Sequence, residues 1–104
     1  MHVISRKPFT DAAKRYPNDA EALKYIYKVL RKGIFSKPEE LLNIFPSLDN
    51  FKYKDKWWII DVGGNNLRLI AFIEYRDNRI YVKHIVNHVE YDKLCKKYSK
   101  AKRI

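Results

Sequence analysis

The sequence predicts an α+β fold, a small and mostly antiparallel sheet with an N-terminal helical hairpin before it and a C-terminal helix after it. Three observations carry this. Residues 57–86 hold three runs rich in Ile, Val, Trp and Tyr, separated by Gly63-Gly64-Asn65-Asn66 and Arg76-Asp77-Asn78. Such side chains suit pleated strands, and Gly, Asn and Asp tolerate the positive φ of tight hairpins. Residues 8–32 instead repeat apolar side chains at helical spacing, interrupted at Pro17. Finally, Asn87 with Glu90 three residues on has the capping-box pattern that opens a helix.

In chain order, His2–Ser5 is a short edge strand. Pro8 opens a helix in which Phe9, Ala12, Ala13 and Tyr16 recur at i, i+3, i+4, i+7, and Pro17 ends it. Asn18 with Glu21 predicts a second cap. Leu23, Ile26, Tyr27 and Leu30 continue the helical period to a C-cap at Gly33. The two helices form an αα-hairpin. Pro38-Glu39 starts a third, short helix with Leu41, Leu42 and Phe45 as its apolar residues, stopped by Pro46.

Residues 47–56 lead into the meander. If they are extended, Lys52, Lys54 and Lys56 line one face, either for an anionic partner or as edge protection against aggregation. The strands are 57–62, 67–75 and 79–86. In the second, Leu67, Leu69, Ala71, Ile73 and Tyr75 share one face, and Arg68, Ile70, Phe72 and Glu74 the other. Neither set is purely polar, so both faces are covered. The last helix runs from His88 to about Tyr98 at the sheet's edge and buries Val89 or Tyr91 with Leu94, Cys95 and Tyr98. A basic tail follows, with six Lys and Arg and no acid from Lys93 onward, and its end is expected to fray. The order is β-α-α-(α)-β-β-β-α, one domain over 1–104.

Composition narrows function. A net charge of +10 on 104 residues points to a polyanionic partner, whether nucleic acid, an acidic protein or an anionic membrane surface. The lone Cys95 rules out an intramolecular disulfide framework and fits a reducing compartment, hence the cytoplasm. No apolar run approaches a membrane span. There is no P-loop and no GxGxxG, and the three histidines lack metal-ligand spacing, so no metal or cofactor is expected.

Phosphodiester chemistry remains. RNA is cleaved without metal when a base activates the 2′-OH, an acid protonates the leaving oxygen and cations steady the phosphate. The meander carries Arg68, at a strand start, to the end where the third strand delivers His88 and Tyr91 in the first turn of a helix. Arg68 suits a bidentate phosphate clamp. The helix N-terminus favours an anion and a neutral His88. Tyr91 can donate a proton or stack on a base. Each residue also has an ordinary structural role open to it, as ion pair, surface residue or packing ring.

Several segments together resemble the HigB toxins of bacterial type II toxin–antitoxin systems, members of the RelE-like superfamily. They are Met1-His2-Val3-Ile4, Pro38-Glu39, residues 45–53 (FPSLDNFKY), Val62-Gly63-Gly64-Asn65 with Leu67-Arg68, and residues 88–92 (HVEYD). The resemblance implies a RelE-like fold and a ribosome-dependent mRNA endonuclease that cuts in the ribosomal A site. It also implies a helix-turn-helix antitoxin, HigA, that neutralises the toxin and joins it in repressing operator DNA. Onto this sequence it carries Arg68, His88 and Tyr91 as active-cleft residues. Lys52, Lys54 and Lys56 become candidate RNA or ribosome contacts, with the turn amides Asn65 and Asn66 beside them. Two other readings stay open: a protein that blocks RNA or the ribosome without cutting, and a regulatory subunit acting only through the antitoxin complex.

Overall fold

The computed structural model describes residues 1–102, with side chains through Lys100. Its elements are β1 (His2–Val3), α1 (Lys7–Arg15), a 3-10 turn (Pro17–Asp19), α2 (Ala20–Lys32), α3 (Pro38–Ile44), β2 (Asp49–Asn50), β3 (Trp57–Val62), β4 (Leu67–Glu74), β5 (Arg79–Val86) and α4 (His88–Lys102). The frayed end expected of the basic tail falls, for residues 103–104, outside the described residues.

The five strands run in the order β1-β5-β4-β3-β2. β1 lies parallel to β5 and every other pairing is antiparallel. The expected alternation along β4 is what builds the two layers. Leu67, Leu69, Ala71 and Ile73 enter the larger core with Phe9, Leu23, Ile26, Leu30 and Leu41, and Tyr16 and Tyr27 pack against it half-buried. Ile70 faces the other way, into a smaller core with Phe51, Ile59 and Val86. Lys83 is an extra residue in β5, because Ile70 pairs with His84 while Ala71 pairs with Val82. Such a bulge bends the strand locally.

Several local expectations are corrected. The last helix does not sit at the sheet's edge. Tyr91, Leu94, Cys95 and Tyr98 pack on the smaller core, so α4 covers the second face, which Ile59, Ile70 and Val86 leave too apolar for water. Val89 is 65% exposed, and Tyr91 takes the inward position. Asn18 caps nothing at the start of α2. The chain passes from α1 through the 3-10 turn, and no side chain caps α2; the Asp19 carboxylate instead accepts from Asn66 Nδ2 at 3.1 Å. Gly33 is the C-cap of α2, as expected, its N–H donating to the Val29 carbonyl at 3.0 Å, and it is extended there, φ −82° and ψ 160°. A Cβ there would sit 2.5 Å from the Phe35 ring, which would have to shift to admit one.

Residues 51–56 are not extended. Only Asp49 and Asn50 pair with β3, after which the chain turns tightly and Lys56 adopts φ 62°. The three lysines therefore do not line one strand face. Lys56 pairs with Glu74 at 3.1 Å, closing the loop over the sheet. Lys54 lies over the rings of Trp57 and Tyr98, and Lys52 over Tyr53. Ring faces that attract the ammonium groups, with Phe51 buried beneath, outweigh strand alternation here.

Candidate active site

The hairpin register puts Arg68 of β4 opposite Asp61 of β3 on one side and Val86 of β5 on the other. One residue beyond Val86, Asn87 caps α4: its Oδ1 accepts the Glu90 N–H at 3.0 Å, and its carbonyl accepts from Tyr91 N at 2.9 Å. The first turn of α4 is thereby held against the start of β4, as the sequence suggested. The reciprocal arm of the capping box, from the Asn87 backbone N–H to the Glu90 carboxylate, is only a minor contact of that carboxylate. The Glu90 carboxylate reaches across to α1, where it accepts from the Tyr16 hydroxyl at 2.5 Å and from Arg15 Nη2 at 2.7 Å. The Tyr16 hydrogen bond foremost, with Arg15, holds Glu90 below the usual carboxylate range.

Arg68 and Tyr91 meet directly, with the guanidinium carbon 4.3 Å from the ring centre. Arg68 Nε lies 3.8 Å from Asp61 Oδ1, a loose ion pair beyond hydrogen-bonding distance. That Nε–H is buried without a hydrogen-bond partner among the described residues. The charge is thus held in place by the Tyr91 side chain and a nearby carboxylate. The Tyr91 phenol is pushed up to about 12, chiefly by burial and then by its contact with Cys95, while Arg68 opposes the shift.

His88 is exposed, and its Nε2 lies 2.5 Å from the carbonyl oxygen of Asn65 in the β3–β4 turn. A carbonyl only accepts, so Nε2 carries the proton and Nδ1 is left as the acceptor. The turn is itself anchored: Gly63 and Gly64 have φ of 62° and 72°, Asn66 binds Asp19, and a Cβ on Gly63 would collide with the Asp19 carboxylate. Asn65 and Asn66 both lie at this end of the sheet, Asn66 with its amide in structural use.

The three catalytic candidates therefore converge, whereas Lys52, Lys54 and Lys56 form a separate group around Phe51. Phe51 links the two, since its ring centre is 6.3 Å from that of Tyr91 and 5.7 Å from that of Tyr98. Sequence reasoning passed over Asp61, although its place opposite Arg68 follows from the hairpin register. It also passed over Arg15 and Tyr16 as partners of Glu90, for which no local signal exists. Cys95 packs in the smaller core, as expected, and also touches the Tyr91 hydroxyl. Among the described residues no three of His, Cys, Asp and Glu gather as a metal-binding group, and no helix is long and apolar enough to cross a membrane.

The comparisons with known proteins agree on family. A protein from Escherichia coli O6:H1 (strain CFT073) called mRNA interferase HigB is 55% identical over 102 residues, which covers 98% of this chain and 99% of that protein. The mRNA interferase toxin HigB of Escherichia coli K12 and the mRNA interferase HigB of Shigella flexneri are each 44% identical over 92 residues, 88% of either chain. Residues 19–94, which carry Arg68, His88 and Tyr91, match the model of the HigB toxin family, described as the RelE-like toxic component of a toxin–antitoxin system. The chain belongs to the HigB toxin family.

Proposed function

We propose that this toxin is an endoribonuclease that cleaves messenger RNA on the ribosome by acid–base chemistry, with Arg68, His88 and Tyr91 as its catalytic residues. The names of its relatives, mRNA interferases at up to 55% identity, support the cleavage of messenger RNA. The observation that carries the residue assignment is the stacked Arg68–Tyr91 pair, a cation fixed against a phenol and only loosely paired with Asp61, beside an exposed imidazole.

Each role follows from the surroundings. Arg68 stays charged at any working pH and stabilises the developing charge on the scissile phosphate. His88, with Nε2 committed to Asn65, offers Nδ1 to take the proton of the attacking 2′-OH. Tyr91 keeps its proton near neutral pH and hands it to the leaving 5′-oxygen, its acidity assisted by the adjacent guanidinium. The attack forms a 2′,3′-cyclic phosphate as the bond to the 5′-oxygen breaks, so atoms balance without a further reactant.

A toxin of this family has an antitoxin partner. We take that partner to be a helix-turn-helix protein of the HigA kind, through which alone the pair reaches operator DNA. The net charge of +10 suits the ribosome as the other binding surface, and the cytoplasm as the place of action. The test is translation of a defined message with purified protein, the ends mapped by primer extension. New 5′ ends confined to A-site codons are expected; arrest without cleavage would make the protein a non-catalytic blocker.

A further inference from the structure

We propose that the pocket enclosed by Phe51, Tyr53, Trp57 and Tyr98 is a stacking subsite for a single-stranded RNA base flanking the scissile phosphate. This rests on the ribonuclease reading and adds where a neighbouring nucleotide is held. The pocket measures about 480 Å3 and is lined by residues 50–57 and Tyr98. Its floor is fixed, for Phe51 is 2% exposed and makes edge contacts to Tyr53 and Tyr98 with ring centres 5.6 and 5.7 Å away. Its walls, Tyr53, Trp57 and Tyr98, are only half-buried.

Lysine ammonium groups lie over these rings and would give way to a base. Lys54 Nζ lies 5.4 Å from the Tyr98 ring centre and 6.0 Å from that of Trp57, and Lys52 Nζ lies 5.1 Å from that of Tyr53. Aromatic faces edged with cations are the arrangement that holds unstacked bases while cations follow the backbone. The lining also includes Asn50 and Asp55. The Asp55 carboxylate disfavours a phosphate in the pocket itself and offers an acceptor to a base amino group.

The pocket is also continuous with the catalytic end. Tyr91 carries Arg68 on its ring and touches Phe51 with its edge. Tyr98 lies two helical turns beyond Tyr91, about 10 Å along α4. β3 runs the same way, since Asp61, Ile59 and Trp57 alternate onto the second face from Arg68's partner to the pocket wall. An RNA strand with its phosphate at Arg68 therefore has a base site within reach along one line.

The test uses the full chain on programmed ribosomes, with messages carrying an abasic nucleotide at each position flanking the cut. At one position wild-type kcat/KM should fall about tenfold or more, the size of one lost stack. Tyr53→Ala and Trp57→Leu, checked by circular dichroism, should lose that sensitivity. An equal abasic penalty in wild type and both variants, or none at any position, overturns the subsite. A second measurement stands apart from cleavage: quenching of Trp57 fluorescence by a short 2′-deoxy oligonucleotide, with Trp57→Phe subtracting Trp58. Quenching by the intact oligonucleotide that an abasic one fails to reproduce supports the pocket even if ribosomal cleavage is absent; equal quenching by both overturns it.

Discussion

The Arg68 guanidinium lies over the face of Tyr91, 4.3 Å from carbon to ring centre, while its Nε stops 3.8 Å short of the Asp61 carboxylate. The ring fixes the cation without a bidentate carboxylate, which would have consumed its planar fork. Arg68→Ala should therefore lower single-turnover cleavage on programmed ribosomes about a hundred- to a thousandfold. Circular dichroism and ribosome pelleting should stay unchanged. Arg68→Lys should recover little, since an ammonium lacks the planar fork. Cleavage by Arg68→Ala at the wild-type rate would move the active site elsewhere.

The proton-transfer pair gives a pH signature. The Tyr91 phenol, raised to about 12 mainly by burial, keeps its proton through the range near 10 where an ordinary tyrosine titrates. The rate should hold on the alkaline side up to that range and beyond. Tyr91→Phe should reduce the rate, because it removes the proton donor. His88→Ala should reduce it too, because it removes the imidazole that takes the 2′-OH proton. An unaltered rate in His88→Ala would assign the base to another group.

Glu90 ties the first turn of α4 to α1 through Tyr16 and Arg15. Its pKa is lowered in the folded state, so this tie is fully present above the ordinary carboxylate range and is lost as pH falls through that range toward the depressed folded value. Amide exchange at residues 88–92 should accelerate on acidification below about pH 4.3. Tyr16→Phe, which removes the half-buried donor, should cost about 1 kcal/mol in denaturant unfolding. Acid-insensitive exchange at these amides would show that capping by Asn87 alone holds the helix start.

His84 is a second titrating group, on the far side of the smaller core. Its Nε2 lies 2.9 Å from the Tyr98 hydroxyl, and burial first, then Lys97 and Lys83, push its pKa down. The folded state resists protonation, so stability is fully present above about pH 6.5 and is lost as pH falls from there toward the depressed folded value. Unfolding free energy should decline across that window in wild type, and the slope should flatten in His84→Gln. An equal slope in both proteins would place the titration outside this cluster.

The helical hairpin supplies a plain stability prediction. Ile26 is 4% exposed within the larger core. Ile26→Ala removes buried methyl groups that neighbours do not refill, and should cost about 2–5 kcal/mol. Equilibrium denaturation measures this directly. A loss near zero would mean that this face of α2 packs weakly.

What the sequence determined by itself is the part set by short-range physics. Three strands, two hairpin turns and four helices follow from the two hydrophobic periods and from the backbone preferences of Gly, Pro and Asn. The meeting of Arg68 with the helix at Asn87 follows too, since an antiparallel meander returns β5 to the start of β4. The rest was settled by competition between partners distant in the chain. Glu90 reads as half of a local capping box, yet Tyr16 and Arg15, more than seventy residues earlier, make the stronger contacts to its carboxylate. Asp19 likewise goes to Asn66. Lysines 52, 54 and 56 alternate as a strand would, but Phe51 buries itself in the second core and forces the following residues to turn. α4 lies across the sheet because that face was too apolar to leave open, and only this docking lays Tyr91 beneath Arg68. A local pattern specifies what a segment can become; which of its polar groups stay unused, and so remain for chemistry, depends on what the folded chain brings beside them.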